Sequence, residues 1–424
     1  MTLLSSTFSP LTIIFYLIPM FKFIIPLLLL FITSQATVDV IRVRNPRNIT
    51  IGYGSCSDIR IYDYVTKSLE AVMATDPDMW LWGGDVVYLD DTAVTLIPKK
   101  QPCYDIDDEE YTRSFYNKMK NHPTYKKFIK KMPVIGVWDD HDYAYDNADG
   151  TFPHKERNKQ IYLDFFDIPK NHPLRTRDGV YTSYYVGRDK LIKIILLDVR
   201  YNRDKEGVVS QTLDIDITSE FDDMLGDKQW KWLENELKDD TPIYTLIVSG
   251  TQFFPDDRSV LDNWYTDSMN KFFNLIAEAQ RSGIVLVSGD VHYAEILTHP
   301  CPERVGYKNF YEVSSSGMTH SATEAKGIDH VVPNTYSSHK DRYFGKNFGM
   351  LKFEITDEDQ VPDLVWEIRN LEGEIVLERR IQYRDLVFDP KILKTHSKCW
   401  NLYKWKNVIE KKAENVADKI KDTF

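Results

Sequence analysis

The stretch "VLVSGDVHY" (285–293) decides how the chain is read. With Ile284 ahead of it, Val285–Val287 forms a short apolar run, and Ser288-Gly289 leads straight into Asp290 and His292. So short and so apolar a run reads as a buried strand. It ends by projecting a carboxylate and an imidazole. One such ending is ordinary, because every strand must reach solvent somewhere, but here the pattern recurs. "ITIGYGSCSD" (49–58) runs into Cys56 and Asp58, and "MWLWGGDVVY" (79–88) into Asp85 and Tyr88. "PVIGVWDDHD" (133–142) ends in Asp139, Asp140, His141 and Asp142. "LIKIILLDVR" (191–200) reaches Asp198 and Arg200, and "YTLIVSGTQ" (244–252) reaches Gly250, Thr251 and Gln252.

Helical patterns separate these runs. In "IYDYVTKSLEAVMATDPD", Tyr64, Val65, Leu69, Val72 and Met73 share one side, and Asp76-Pro77 closes the pattern. A second helix is expected over 110–131 and a third over 225–237, with Asp227 at the N-cap and Trp230, Leu233 and Leu237 as its apolar stripe. A fourth, 268–283, stops at Gly283. Strands alternating with helices over 49–295 mean an α/β fold. Beyond 295, "NFYEVSSSGM", "FGMLKFEIT", "DLVWEIRN" and "IVLERRIQY" read as antiparallel strands completing the sheets. The last segment, 396–424, carries an amphipathic helix with Trp405, Val408, Ile409, Val416 and Ile420 on one face and lysines on the other. Its simplest use is packing against the domain; contact with a membrane surface is the alternative.

The chain has 424 residues, 42% of them hydrophobic and 28% charged, and a net charge of −11. That composition is a folded protein's. The acidic balance argues against specific nucleic-acid binding, which needs a basic footprint. Residues 11–36 are nearly all apolar, and Ser34-Gln35-Ala36 has the small–x–small form of a signal-peptidase site. Residues 1–36 are therefore expected to be a signal peptide, or else a membrane anchor that would associate the protein with a membrane through its N-terminus. Either way, the domain over 37–395 would lie in the secretory lumen or outside the cell. "NIT" (48–50) would make Asn48 a glycosylation site there. The four cysteines are Cys56, Cys103, Cys301 and Cys399. With Cys56 serving as a ligand, at most one disulfide forms, and the sequence does not pick the pair.

In open α/β sheets, ligands bind beyond the carboxyl ends of the strands. Asp58, Asp85, Asp139, Asp140, Asp142 and Asp290 would converge there with His141, His292, Cys56 and Tyr88. So many carboxylates share a small volume only if protons or cations offset their charge. Oxygen donors suit hard cations, while imidazole and thiolate suit softer ones, so the mixture suggests two unlike metals. Two metals close together activate a water and steady the oxygens of an in-line displacement at phosphorus.

The ordered set "GSCSD", "GGDVVY", "WDDHDY", "LLDVR", "LGDKQWKWLENEL" and "SGDVH", spanning 54–292, resembles the PhoD-like alkaline phosphatase family of the calcineurin-like metallophosphoesterases. The resemblance implies a two-sheet αββα sandwich, a dinuclear metal centre, and hydrolysis of phosphate mono- or diesters. By position it makes Asp85 the bridging ligand and Tyr88 a phenolate ligand of ferric iron with Cys56 beside it. The second metal would be calcium or another divalent cation. Asp140 stands where the superfamily usually has an Asn ligand, and Asp290 and His292 replace a His-x-His pair. His141 would face the substrate, and Arg200 would contact a phosphate oxygen. Asp58 and Asn147 are further metal-ligand candidates. The stretch "VSGTQFF" (248–254) stands where the superfamily offers a His ligand and has none.

Simpler uses compete at some positions. Asp58 could merely begin the first helix, Asp198 could anchor Arg200, and Asp139 and Asp142 could support ligands rather than be them. The same site chemistry would also serve a nuclease- or nucleotidase-like activity. A non-catalytic binder of phosphorylated ligands is the alternative outside enzymes.

Overall fold

The computed structural model describes residues 39–44, 48–90, 106–205, 223–254, 264–321, 336–354 and 361–394. The described residues from Val40 onward belong to one compact unit. The expected signal peptide or anchor (1–36) and the expected terminal helix (396–424) lie outside the described residues.

Among the described residues, the strands form two sheets. The eight-stranded sheet is built from β1 (Asp39–Ile41), β5 (Thr182–Val186), β6 (Ile192–Leu196), β7 (Tyr244–Val248), β8 (Ile284–Ser288), β10 (Tyr311–Ser315), β9 (Ala294–Thr298) and β11 (Arg342–Tyr343), in that spatial order. The six-stranded sheet runs β14 (Ile375–Ile381), β13 (Asp363–Arg369), β12 (Phe348–Glu354), β2 (Ile49–Gly54), β3 (Met79–Gly83) and β4 (Val134–Val137). Within these, β2-β3-β4 and β6-β7-β8-β10 are parallel. The apolar runs are therefore inner strands of the two sheets, except β4, which is the outer strand of its sheet.

Alternation along the strands separates two cores. Ile192, Ile194, Val285 and Val287 share a core with Ile51, Leu81 and Leu351 of the other sheet. Ile195, Leu197, Ile284 and Leu286 point the opposite way, into a core with Trp230, Leu233, Phe272 and Phe273. These last come from α6 (Gly226–Leu237) and α7 (Thr266–Ala279). Helices α1 (Tyr62–Thr75), α2 (Glu109–Asn121), α3 (Pro123–Lys131) and α5 (Lys155–Phe165) contribute Leu69, Met119, Phe128 and Tyr162 to the first core. The two-sheet α/β sandwich expected from the sequence is thus present.

The structure corrects several sequence readings. The single helix expected over 110–131 is two, α2 and α3. Pro123 has no N–H, and the residue before it, His122, turns extended (ψ 129°) and caps α3 by accepting from Thr124 N at 3.2 Å. Asp227 lies inside α6, one residue after its first, and is not its N-cap. α7 ends at Ala279, with Gln280 left-handed (φ 52°). The pattern reading passed over α5 and the short α4 (Asp140–Tyr143). Finally, β10 is not purely antiparallel: it pairs with β9 antiparallel but with β8 parallel. Cys56 is free and buried, whereas Cys301 is disulfide-bonded. Cys103 and Cys399 lie outside the described residues.

Candidate active site

The two sheets meet at the ends of their parallel strands. Within the sheets Gly289 N donates to Gly250 O at 2.9 Å and Ser57 N to Asp85 O at 2.8 Å, and between them a Cβ on Gly289 would sit 2.4 Å from Gly83 O. Side chains would keep these ends apart: a Cβ on Gly250 would sit 2.5 Å from Asp139 Cγ. Positive φ at non-glycine residues recurs here, at Cys56 (62°), Asp85 (50°), Asn147 (58°), Asp290 (75°) and His292 (60°). Left-handed backbone at such residues costs free energy and persists where the surroundings enforce it. It aims successive polar side chains into one volume.

Two groups of ligand atoms come within 4.8 Å of one another: Asp85–Asp140–His141 and Asp139–Asp140–Asp290. Asp140 belongs to both. Its Oδ2 accepts from Asn147 N at 2.6 Å, while Oδ1 is buried with no hydrogen-bond partner and lies 3.8 Å from Arg200 Nη2. Cys56 Sγ is 3.6 Å from Asp85 Oδ2. Tyr88 Oη lies 3.1 Å from His292 Nε2. Tyr88 stacks on His141, with centroids 4.4 Å apart. The sequence-derived set Cys56, Asp85, Tyr88, Asp140, His141, Asp290 and His292 is therefore contiguous.

The electrostatics show an excess of negative charge. Burial, and then Asp140, Asp139 and Asp142 against the opposing pull of His141, hold the Asp85 carboxyl well above its usual range. Burial and the neighbouring Asp85 push the Cys56 thiol up. Burial would lower the His141 pKa, but Asp140 and Asp90 outweigh it and hold it well above the usual value. Burial, His320 and His141 lower His292 to about 3, so this imidazole is neutral and offers a lone pair. A buried carboxylate oxygen without a donor, a thiol, a phenol and a neutral imidazole are a donor set that cations fit.

A family model described as PhoD-like phosphatase matches residues 51–363, well over half of the chain. The chain belongs to the PhoD-like phosphatase family. These are phosphate-ester hydrolases. A solved structure of PhoD aligns with a TM-score of 0.55 at 15% identity, over 80% of this chain and 69% of that one, and shows the shared fold. A Thermus thermophilus protein aligns at 9% identity and a TM-score of 0.35, over 79% of this chain and 99% of its own. No curated protein matches.

Other sequence-derived residues of this PhoD-like chain sit differently from expectation. The resemblance has Arg200 facing a phosphate. Instead it is fully buried, with Nε donating to Asp139 Oδ1 at 2.6 Å and Nη2 to Thr251 Oγ1 at 2.9 Å. Its charge offsets Asp139 and Asp140, so it holds the "WDDHD" turn instead of presenting an open fork. Asp198 anchors that arginine's loop by accepting from Val180, Arg200 and Tyr201 N. Asp58 is clamped by Arg60, whose Nε is 2.9 Å from both carboxylate oxygens. Asn147 reaches the cluster through its backbone N–H, and the residue itself is exposed. Asp142 ties the turn, accepting from Asp139 N at 2.6 Å and Val86 N at 3.1 Å. Gln252 Nε2 donates to the buried Glu295 at 2.8 Å.

Two site residues escape the sequence reading. Asp90 Oδ1 lies 2.8 Å from His141 Nδ1 and fixes that ring. It stands two residues past Tyr88 in "GDVVYLDD", where a short polar cluster is the available signal. His320 is buried beside His292 and Tyr88, with centroids 5.1 and 4.7 Å away. It follows "YEVSSSGM", a strand ending of the same kind as "VLVSGDVHY", but an antiparallel reading of that strand does not bring its end to the site.

Proposed function

We propose that the protein is a metal-dependent phosphatase or phosphodiesterase working through a dinuclear centre, with ferric iron and calcium or another divalent cation as its metals. The observation that carries this reading is Asp140, a buried carboxylate with an oxygen lacking a hydrogen-bond partner, shared between two neighbouring groups of ligand atoms. Asp85, Asp140 and Asp290 would hold the metals with Cys56, Tyr88 and His292. When bound, the metals supply a reactive water at neutral pH and offset charge on the phosphoryl oxygens. The chain's own residues do the rest. Asp90 holds His141 through Nδ1, which leaves Nε2 for the leaving oxygen. Arg200 keeps Asp139 and the "WDDHD" turn in place. The test is hydrolysis of a nitrophenyl phosphodiester and its monoester, before and after chelation. Activity lost on chelation and restored by metal supports the reading. No turnover with metal bound would instead support the non-catalytic phospho-ligand binder, and preference for nucleotides would support the nucleotidase reading.

Tyr88 carries a second prediction. A phenolate on ferric iron absorbs visible light by charge transfer, so the protein should be coloured and Tyr88→Phe should shift or abolish that band. An iron-free, colourless and fully active protein would leave only ordinary divalent ions at the site.

We further propose that the protein enters the secretory pathway, either secreted or held in the membrane by its N-terminus, with small phosphate esters as substrates. The apolar 11–36 segment and the Cys301 disulfide support this, because disulfides persist in oxidising compartments. Expression in a eukaryotic secretory host should give a glycosidase-sensitive product modified at Asn48, beginning near Thr37 if the segment is cleaved. An unglycosylated cytosolic product would contradict this route. Among the described residues no helix is long and apolar enough to cross a membrane.

A further inference from the structure

His320 is a buried imidazole beside the candidate ligands His292 and Tyr88. It sits in the loop after β10, which runs parallel to β8, so the ends of both strands reach the same edge of the sheet. The loop is tied to the Cys56 turn: Thr319 N donates to Cys56 O at 3.1 Å, and Met318 N to Ser55 O at 3.4 Å. The Thr319 hydroxyl reaches the imidazole. Its oxygen accepts from Asp58 N at 2.8 Å and lies 2.9 Å from Cys56 O and 3.2 Å from His320 Nδ1. A hydroxyl has one proton. Given to Cys56 O, which also accepts from Thr319 N, that proton leaves the hydroxyl oxygen to accept from Nδ1. That places a lone pair on Nε2. Ligand histidines are held in this way, with the second ring nitrogen donating to a fixed oxygen.

The ring is buried and lies nearly parallel to His292, at an interplanar angle of 20°. It also packs against Tyr88. We propose that His320 is a further metal ligand on the Tyr88–His292 side of the centre, with Thr319 as the positioning residue that fixes its tautomer. The inference rests on the metal-dependent reading above and adds a donor to it.

The experiment uses the full chain stripped of metal and titrated with Co²⁺, following the visible ligand-field bands and the dissociation constant, with thermal unfolding of the metal-free protein as the control for folding. His320→Ala should weaken Co²⁺ binding by at least about 10–100-fold, the usual cost of disturbing a ligand's support, and change the band shape. Metal-free unfolding temperatures should stay close to wild type. His320→Phe keeps the packing ring and removes the nitrogen, and should lose affinity as His320→Ala does. Thr319→Val should weaken binding by about 10-fold or more, and Thr319→Ser should restore it. Wild-type Co²⁺ affinity and spectrum in His320→Phe would reduce His320 to a packing residue and overturn the proposal. If His320→Ala fails to fold, His320→Phe and Thr319→Val decide the question. A wild-type chain that binds no metal would overturn the functional reading itself, whereas a metal-binding wild type with unchanged variants overturns only the role of His320.

Discussion

Asp85→Asn should abolish catalysis while leaving the metal-free protein as stable as wild type, or more stable. Asp85 lies beside Cys56 at 3.6 Å, and its Oδ1 accepts from His141 N at 3.3 Å. An Asn side chain keeps that acceptor and the side-chain volume. What it removes is an ionisable group whose charged form burial and Asp139, Asp140 and Asp142 already disfavour. Without metal its loss relieves strain held for function. With metal, the amide that replaces the proposed ligand carboxylate would be a poor ligand. A loss of several kcal/mol of transition-state stabilisation corresponds to a rate reduction of roughly 10⁴-fold or more. The measurements are kcat/KM, metal content, and unfolding temperature with and without metal. Wild type should be stabilised by metal through mass action and the variant should not. A variant that keeps its metals and its activity would remove Asp85 from the centre. A large drop in metal-free stability would mean that the aspartate is chiefly a structural acceptor.

Asp140 and His141, neighbours in the chain, should fail in different ways. Asp140→Ala should lose metal and activity together, because its Oδ1 has no protein hydrogen bond to keep it occupied. His141→Ala should keep its metals. The ring of His141 is held at Nδ1 by Asp90 and stacked on Tyr88, so Nε2 is the nitrogen left to meet the leaving oxygen. General acid help is worth about 10²–10⁴ in rate, and it matters when the leaving group needs a proton. Nitrophenolate departs without one and an alkoxide does not. His141→Ala should therefore slow alkyl phosphate esters by about 10²–10⁴-fold and nitrophenyl esters far less. Rates for both substrate classes, with metal analysis on the same samples, check this. Equal losses on both classes with metals retained would assign His141 to orienting the phosphate or the attacking water. Loss of metal would make it a ligand, in keeping with its place in the Asp85–Asp140–His141 group.

Local pattern alone was enough for β2, β3, β4, β6, β7 and β8, for α1, α6 and α7, and for the family. Each depends on a short apolar run, a turn residue, then a polar side chain at the strand's end. Cys56, Asp85, Tyr88, Asp140, His141, Asp290 and His292 were legible for the same reason, since β2, β3, β4 and β8 each deliver their own. Whatever depends on which element lies beside which came from the three-dimensional arrangement. Arg200 looks like an open phosphate fork in sequence, yet Asp139 and Thr251, from two other strand ends, enclose it. Burial leaves it the role of offsetting carboxylate charge. The long helix over 110–131 broke at Pro123, where a missing N–H outweighed the apolar pattern. His320 became visible only through the register of β10, inserted between β8 and β9. Side-chain alternation says which residues of a strand are buried, but it carries no information about the neighbour that strand will pair with. For that reason Asp290 and His292 could be read from one short run of letters, while the imidazole beside them could not.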